Sequence, residues 1–231
     1  MKRAILFFFL VVLFGGTMAY SQQKPFVFGF KAGPAMGWMN PDSKGYESDG
    51  VKLGFTWGFI ADFFLMENYG IATGFDVVFL NGGIKMPASM LIGGNNVNGT
   101  LNRKYQLKYI QIPVTFKMKT KEIGKFRIFG MIGLGTNFLI GAKADDEFTP
   151  DSGESQTEDD VDIYDDITFM RESLILGAGA EFSLGGSTSL MAGFTFNNGF
   201  MNILKGKNSA DPAINNSAKA NYIAFEVGIV F

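Results

Sequence analysis

NYIAFEVGIVF, residues 221–231, alternates strictly between two kinds of side chain. A period of two is the spacing of a β-strand, so this stretch predicts a strand with two different faces. One face carries side chains of mixed size and polarity, among them Glu226, the only charged residue in this stretch. The other face is entirely large and apolar: Ile223, Phe225, Val227, Ile229 and Phe231. An apolar strand of this length would be an aggregation-prone edge unless another strand covered it. The first strand of the same chain is the simplest cover, and it would close a barrel.

The same alternation recurs upstream in seven more stretches: 26–39, 51–63, 69–81, 104–118, 126–142, 167–184 and 187–202. We therefore predict an all-β fold, an eight-stranded antiparallel up-and-down transmembrane β-barrel. The predicted connections are long and polar after strands one, three, five and seven, and short after the others. This asymmetry is typical of membrane barrels whose termini lie in the periplasm and whose long loops lie outside.

The fourth predicted strand is irregular. Tyr105, Leu107 and Tyr109 share one parity, whereas Ile110 and the apolar residues after it take the other. A one-residue change of phase is what a bulge produces, so we predict a bulge between Tyr109 and Pro113. Tyr105 also counts among the strand-end aromatics that we expect at the membrane interface.

The amino terminus has the features of a secretory signal peptide. Lys2 and Arg3 precede a short apolar run, and Ala19-Tyr20-Ser21 forms a small-x-small cleavage pattern. The run is shorter than the roughly 20 residues of a membrane-spanning helix. We therefore predict a signal peptide at 1–21 and one outer-membrane β-barrel domain at 22–231.

Composition excludes several classes of function. The chain has no cysteine and no histidine, so disulfides, thiolate metal sites and histidine acid-base catalysis are absent. The formal net charge of −2 does not indicate a nucleic-acid partner. We predict no enzyme activity, no catalytic, cofactor-binding or metal residues, and no cofactor.

A soluble periplasmic barrel that binds a ligand, like a lipocalin, is the main structural alternative. It would have the same alternation with its apolar residues turned inward. Here the apolar faces are rows of Phe, Ile, Val and Trp, and the opposite faces are mostly glycine and alanine. An eight-stranded lumen holds only side chains, so the small residues fit inside it and the bulky rows fit outside.

Charged residues on the small-residue faces are predicted to point into the lumen: Lys31, Asp62, Asp76, Arg127, Glu181 and Glu226. They could line an ion path. A paired network that plugs the lumen is the better interpretation, because isolated buried charges must pair and eight strands leave no aqueous channel.

The segment 145–166 carries eleven acidic residues and no basic one. We expect a solvated, mobile external loop, because like charges repel. Calcium binding is the alternative, although no window has the glycine and glutamate positions of an EF-hand loop.

Several short motifs resemble the PorT-type family of outer-membrane β-barrels of Bacteroidetes-type bacteria. They are Phe28-Gly29-Phe30-Lys31-Ala32-Gly33, Gly54-Phe55, Tyr109-Ile110-Gln111-Ile112-Pro113, Gly177-Ala178-Gly179 and the terminal phenylalanine. The resemblance implies an eight-stranded barrel similar to OmpA and OmpX, inserted by the barrel-assembly machinery, which reads the C-terminal strand. One member of that family serves the type IX secretion system.

The expected function is that of a non-enzymatic integral outer-membrane protein with a structural or interaction role through long external loops. The expected partners are outer-membrane lipid, the barrel-assembly machinery and other envelope proteins. Two alternatives stay open: a subunit of a secretion or transport complex, and the soluble ligand-binding barrel.

Overall fold

The computed structural model describes residues 26–231, so the predicted signal peptide lies outside the described residues. The described chain is a β-sheet protein with one three-residue 3₁₀ turn, Tyr164–Asp166. Its strands are β1 (Phe26–Pro41), β2 (Glu47–Met66), β3 (Tyr69–Ile92), β4 (Asn95–Lys119), β5 (Phe126–Pro150), β6 (Gln156–Asp162), β7 (Met170–Gly185), β8 (Thr188–Gly199) and β9 (Ala218–Val230). None of the described helices is long and apolar enough to cross a membrane.

Eight of these strands form a closed antiparallel ring. Neighbours in sequence pair with one another, except that β5 pairs with β7. The short β6 pairs with the C-terminal part of β5. The ring closes where β1 pairs with β9, from Gly29↔Val230 to Pro41↔Ala218. The predicted eight-stranded up-and-down barrel is thus confirmed, and the C-terminal strand is covered by the first one.

We call the half of the barrel that holds both described ends the lower barrel. Its turns are short, at 67–68, 120–125 and 186–187. Its bulky rows face outward, with Phe30 57%, Val114 55% and Phe194 60% exposed. Small residues occupy the inward face where strands and charged side chains come close together. A Cβ on Gly58, for example, would collide with the Asp76 carboxylate. The lower barrel therefore has the polarity of a protein that is solvated by lipid.

Several strands continue beyond the lipid-facing rows of the lower barrel and form what we call the upper barrel. β2 has 20 residues, β3 has 24, and β4 and β5 have 25 each. Here the outward face is polar, with Lys85, Lys104 and Lys143 exposed. The inside is a continuous apolar core, whose fully buried members include Leu80, Ile84, Leu107, Leu139, Phe148 and Ile203. The polarity of the sheet is therefore inverted between its two halves.

The expectation of four long external loops is wrong. The segment 82–103, expected to be a loop, is instead the continuation of β3 and β4, joined by Gly93 and Gly94 alone. Both glycines have positive φ, 61° and 85°, as a two-residue hairpin turn requires. The connection after β1 is only 42–46. Long connections remain at 151–169, which contains β6, and at 200–217.

The bulge predicted in the fourth strand is also wrong. β4 keeps one inward parity from Gly99 to Lys117. The extra residue lies in the neighbouring strand, where Lys108 faces Gly141 and Tyr109 faces Leu139, so that Ile140 is unpaired. What looks like a change of phase in β4 is the change of its inner face from apolar to polar. Tyr105, expected at the membrane interface, is accordingly inside and 3% exposed.

The acidic segment is a hairpin rather than a loop. β5 runs to Pro150, and β6 returns against it from Phe148↔Gln156 to Lys143↔Asp162. A register shift places Asp159 and Asp160 in a bulge, where Asp160 has φ 59°. Seven of the eleven acidic residues therefore lie on the paired ribbon that β5 and β6 form at the end of the upper barrel.

Candidate functional site

The lumen of the lower barrel contains five of the six charges predicted to point inward. Lys31, Asp62, Asp76, Glu181 and Glu226 are inside the ring, and each of these side chains is at most 12% exposed. Arg127 has the inward parity but lies at the lower mouth, where its Nη2 is 3.1 Å from Glu122 Oε2.

The first charge cluster lies near the lower mouth. Lys117 Nζ is 2.6 Å from Asp62 Oδ2 and 3.1 Å from Glu181 Oε1. Lys119 Nζ is 2.8 Å from the other oxygen of Glu181 and lies over the Phe64 ring. Neither lysine was among the charges predicted to point inward, although Lys117 lies opposite the bulky row from Ile110 to Met118; Lys119 lies just past the predicted strand 104–118. Their parity, shared with Gln111 and Thr115, was the available signal.

The second cluster lies higher in the lumen. Lys31 Nζ is 3.1 Å from Asp76 and 3.2 Å from Glu226. Glu226 also accepts hydrogen bonds from the hydroxyls of Thr56 at 3.1 Å and Thr195 at 2.9 Å. β1, β2, β3, β8 and β9 each contribute one of these side chains, so the cluster connects five strands across the lumen.

A chain of amides links this cluster to Arg171, which is fully buried. Arg171 donates to Asn197 Oδ1, Asn197 donates to Gln111 Oε1 at 2.7 Å, and Gln111 donates to Asp76 Oδ2 at 3.3 Å. Arg171 also faces the Tyr109 ring, 5.6 Å from its centroid. The described residues give Arg171 no carboxylate within ion-pair distance. Its charge is stabilised by neutral amides, which polarise one another along the chain that leads to the Asp76 carboxylate.

These charges balance one another and fill the lumen. The buried cations are Lys31, Lys117, Lys119 and Arg171, and the buried anions are Asp62, Asp76, Glu181 and Glu226. A cavity of about 50 Å³ touches both clusters and has the volume of a few water molecules. Asp62 Oδ1, buried there without a protein partner, is a suitable acceptor for such water. Within the described chain, the arrangement is a plug rather than a channel.

The upper barrel is closed by the connection 200–217, which places Ile203 and Leu204 in the apolar core. Three asparagines fix this connection. Asn202 accepts from the Leu204 and Ala218 amides, Asn216 donates to Lys205 O at 3.0 Å, and Asn208 donates to Pro87 O at 2.7 Å. Asn208 also donates to the Tyr46 hydroxyl at 2.9 Å. The connection 200–217 is therefore held to the barrel wall through Asn208 and Asn202 and is not a free loop.

Arg103 and Asp146 form a bidentate pair inside the mouth of the upper barrel. Nε and Nη2 of Arg103 donate to the two carboxylate oxygens at 2.7 and 2.6 Å. Burial acts to lower the pKa of Arg103, but the hydrogen bond and charge of Asp146 outweigh it and raise that pKa. Burial raises the pKa of the nearby Tyr105. Arg103 is thus a fixed cation beside a neutral phenol.

The acidic hairpin gathers no metal site. Among residues 26–231 there is no group of three or more His, Cys, Asp or Glu side chains that could hold a metal ion. Asp145 and Asp146 accept hydrogen bonds from Gln106 and Arg103, and Asp160 lies 3.0 Å from Lys143. In residues 26–231, this segment therefore presents no cluster of ligands for a calcium ion.

These features define a class: a transmembrane β-barrel with lipid-facing bulky rows and a plugged lumen. A family model for the outer membrane protein beta-barrel domain matches residues 20–205. The chain belongs to that family, and the protein is located in the outer membrane. The match is to the broad family and does not distinguish the PorT-type members.

Solved structures of outer-membrane barrels are similar over most of the chain. Neisserial surface protein A is 13% identical, with 90% of this chain and 96% of that chain covered and a TM-score of 0.49. OprG from Pseudomonas aeruginosa is 11% identical, with 90% and 97% covered and a TM-score of 0.47. Ail of Yersinia pestis is 14% identical, with 90% and 100% covered and a TM-score of 0.38. No curated protein matches the sequence.

Proposed function

We propose that this protein is a non-enzymatic outer-membrane barrel that serves recognition at the cell surface through its upper barrel. The observation that carries the proposal is the apolar core of the upper barrel, which gives it a rigid body outside the lipid-facing part of the strands. Short turns and both described ends lie at the lower end, which in this class is the periplasmic side. The upper barrel then stands outside the cell.

Transport and catalysis fit the structure less well. The charges in the lumen are paired with one another, and the connection 200–217 closes the top. The chain contains no histidine and no cysteine to act as base or nucleophile. In planar-bilayer recordings, we expect purified protein to give no stable, large single-channel conductance; such a conductance would contradict the plug.

The surface that the upper barrel offers is strongly acidic on one side. Glu158, Asp159 and Asp160 are exposed on the β5–β6 ribbon. A partner that approaches this side would need positive charge, and its association would be faster at low ionic strength. The proposed partner is therefore a protein or surface with a basic patch.

Site-specific photocrosslinking in intact cells tests the proposal. A photoreactive residue in place of Thr157, exposed on β6, should give a discrete adduct, whereas one in place of Lys121, exposed in a lower turn, should not give that adduct. Neutralising the ribbon with Glu158→Gln and Asp159→Asn should weaken the adduct. If Thr157 yields no discrete adduct, or one that persists unchanged after neutralisation, the proposed role is wrong.

A secretion role is the second candidate, favoured by the motifs that resemble PorT-type proteins. It predicts that deleting the gene reduces the amount of secreted protein while the outer membrane stays intact. Normal secretion in the deletion strain would remove it. In either role, we propose that β9 is the strand that the barrel-assembly machinery reads during insertion into outer-membrane lipid.

A further inference from the structure

A cleft of about 240 Å³ opens in the mouth of the upper barrel. It lies between the β3–β4 hairpin on one side and the connection 200–217 on the other. The mouth of a β-barrel is a frequent place for small-molecule sites. The cleft belongs neither to the lumen network nor to the acidic ribbon.

The floor of the cleft is apolar and already formed. Met86, Ala88, Leu101 and Leu204 line it, and each is at most 9% exposed. The wall formed by the connection 200–217 is held by the hydrogen bonds of Asn208 and Asn216 described above. Because the walls are fixed before a ligand arrives, binding would require little ordering of the protein.

The charged groups around this floor are mostly cationic. The lining contains Arg103, Lys205 and Lys207 but a single carboxylate, Asp166. With Asp146 counted behind Arg103, the local charge is still +1. This is the reverse of the acidic ribbon beside it, so the cleft is a positive spot on a negative surface.

Arg103 presents an unused pair of N–H groups to the cleft. Its Nε and Nη2 are both occupied by Asp146. Its Nη1 has no hydrogen-bond partner among the described residues and forms only a long ion pair, 3.9 Å, with Oδ2 of the exposed Asp166. The pair with Asp146 fixes the guanidinium of Arg103, which lines the cleft, and leaves the N–H groups of Nη1 without a hydrogen-bond acceptor.

We infer that this cleft binds a small organic anion whose apolar body lies on the Met86 and Leu204 floor and whose carboxylate meets Arg103 and Lys207. The inference goes beyond the proposed recognition role, because it names a small-molecule site. It is also independent of that role, because the ribbon could lose its partner while the cleft still bound its ligand.

Benzoate and its uncharged isostere benzamide are matched probes for this site. Each is titrated by NMR into the full barrel in lipid nanodiscs. Benzoate should bind saturably, and benzamide should bind about tenfold more weakly, because a hydrogen bond to a charged group is lost. Lys207→Gln should weaken benzoate binding severalfold. Asp166→Asn should strengthen it, because it removes the competing carboxylate.

Lys143→Gln is the matched control, since it removes one charge from the outer face of the neighbouring ribbon and should leave benzoate affinity unchanged. All three substituted residues are exposed, so folding should persist, and the heat-dependent gel mobility of folded barrels verifies it. The inference is overturned if benzoate does not saturate at millimolar concentration, if benzamide binds equally well, or if the control changes affinity as much as Lys207→Gln does.

Discussion

β3 and β4 run through both the lower and the upper barrel with one unbroken alternation, yet their inward side chains are opposite in polarity in the two halves. On β4, the inward residues of the lower barrel are Gln111, Thr115 and Lys117, whereas those of the upper barrel are Leu101, Tyr105 and Leu107. The outward residues are exchanged in the same way, from Ile112 and Val114 to Lys104 and Gln106. The exchange occurs within a few residues, without any break in the parity of the strand.

The difference shows what each interior must achieve. In lipid, the outside is apolar, and the lumen can contain polar groups if each has a partner. In water, the outside is polar, and the upper barrel needs an apolar core of its own, as any small soluble domain does. One strand can satisfy both conditions because its period of two fixes which side is inward but not which side is apolar.

Removing a charge from the lower interior should have the largest effect. Lys117→Met leaves the buried Asp62 without its cation and should reduce the free energy of unfolding by about 3–5 kcal/mol. Equilibrium urea unfolding in lipid vesicles measures it. Lys125→Met, in an exposed lower turn, is the control and should have little effect. The double change Lys117→Met with Asp62→Leu should recover much of the loss. A loss under about 1 kcal/mol for the single variant would contradict the buried-pair interpretation.

Truncating the upper core should come next. Leu107 is fully buried, so Leu107→Ala should cost about 2–5 kcal/mol through lost contacts and a cavity. Val114→Ala, seven residues along the same strand but facing lipid, should cost less than about 1 kcal/mol, because it removes less apolar volume and leaves no enclosed cavity. Urea unfolding measures both, and limited proteolysis from outside shows whether the upper barrel opens separately. Equal losses would mean that the upper core is not a true core.

A charge placed on the outer face should locate the boundary between the halves. Ile112 and Gln106 both face outward on β4. Ile112→Arg should cost about 2–4 kcal/mol, because it puts a cation into hydrocarbon. Gln106→Arg should be neutral within about 0.5 kcal/mol, because that position already faces water and the side chain of Asp145. A similar cost at both positions would place Gln106 in lipid and shift the boundary upward.

The amino-acid sequence predicts the lower barrel well. Alternation identifies all eight ring strands, and the small-residue faces identify five of the lumen charges. Both inferences need only the parity of a single strand. Arg171 shares the inward parity of Glu181 on β7, so the same reasoning could have placed it in the lumen. Its hydrogen-bond partners could not be found from one strand, because Asn137 and Asn197 come from β5 and β8 and only the register brings them together.

The upper barrel was missed for a different physical reason. Ile84, Met86 and Ala88 alternate with Lys85 and Pro87, and Gly93-Gly94 is a hairpin signal. Those signals were present in 82–103, but the glycines and asparagines around them indicated a loop. The apolar residues also occupied the parity that a membrane barrel reserves for polar ones. If one strand may face water along one part and lipid along another, the apparent change of phase in β4 is no longer a bulge. It marks the point where the inward face changes from the apolar core of the upper barrel to the polar lumen.

The smallest predicted effect concerns an ion pair that water can reach. Lys52 Nζ lies 2.8 Å from Asp49 Oδ2, and Lys85 lies 3.6 Å from Oδ1, on the rim of the upper barrel. The hydrogen bond from Lys52 is the main cause that lowers the pKa of Asp49 below its ordinary value of 3.8. A lowered carboxyl pKa means that the stabilisation is fully present above the ordinary pKa and is lost as pH falls through the folded value.

We therefore expect Asp49→Asn to cost less than about 1 kcal/mol at pH 7 and nothing once the pH is below the folded pKa of Asp49. The loss at pH 7 should shrink further in high salt, because the pair is partly exposed and ions screen it. Asp62→Asn, which disrupts the buried pair with Lys117, should instead cost several kcal/mol at either salt concentration. Urea unfolding of both variants at low and high salt makes the comparison. If Asp49→Asn were as costly and as insensitive to salt as Asp62→Asn, the rim of the upper barrel would be sealed from water, and the two halves would not have the different solvents on which their opposite interiors depend.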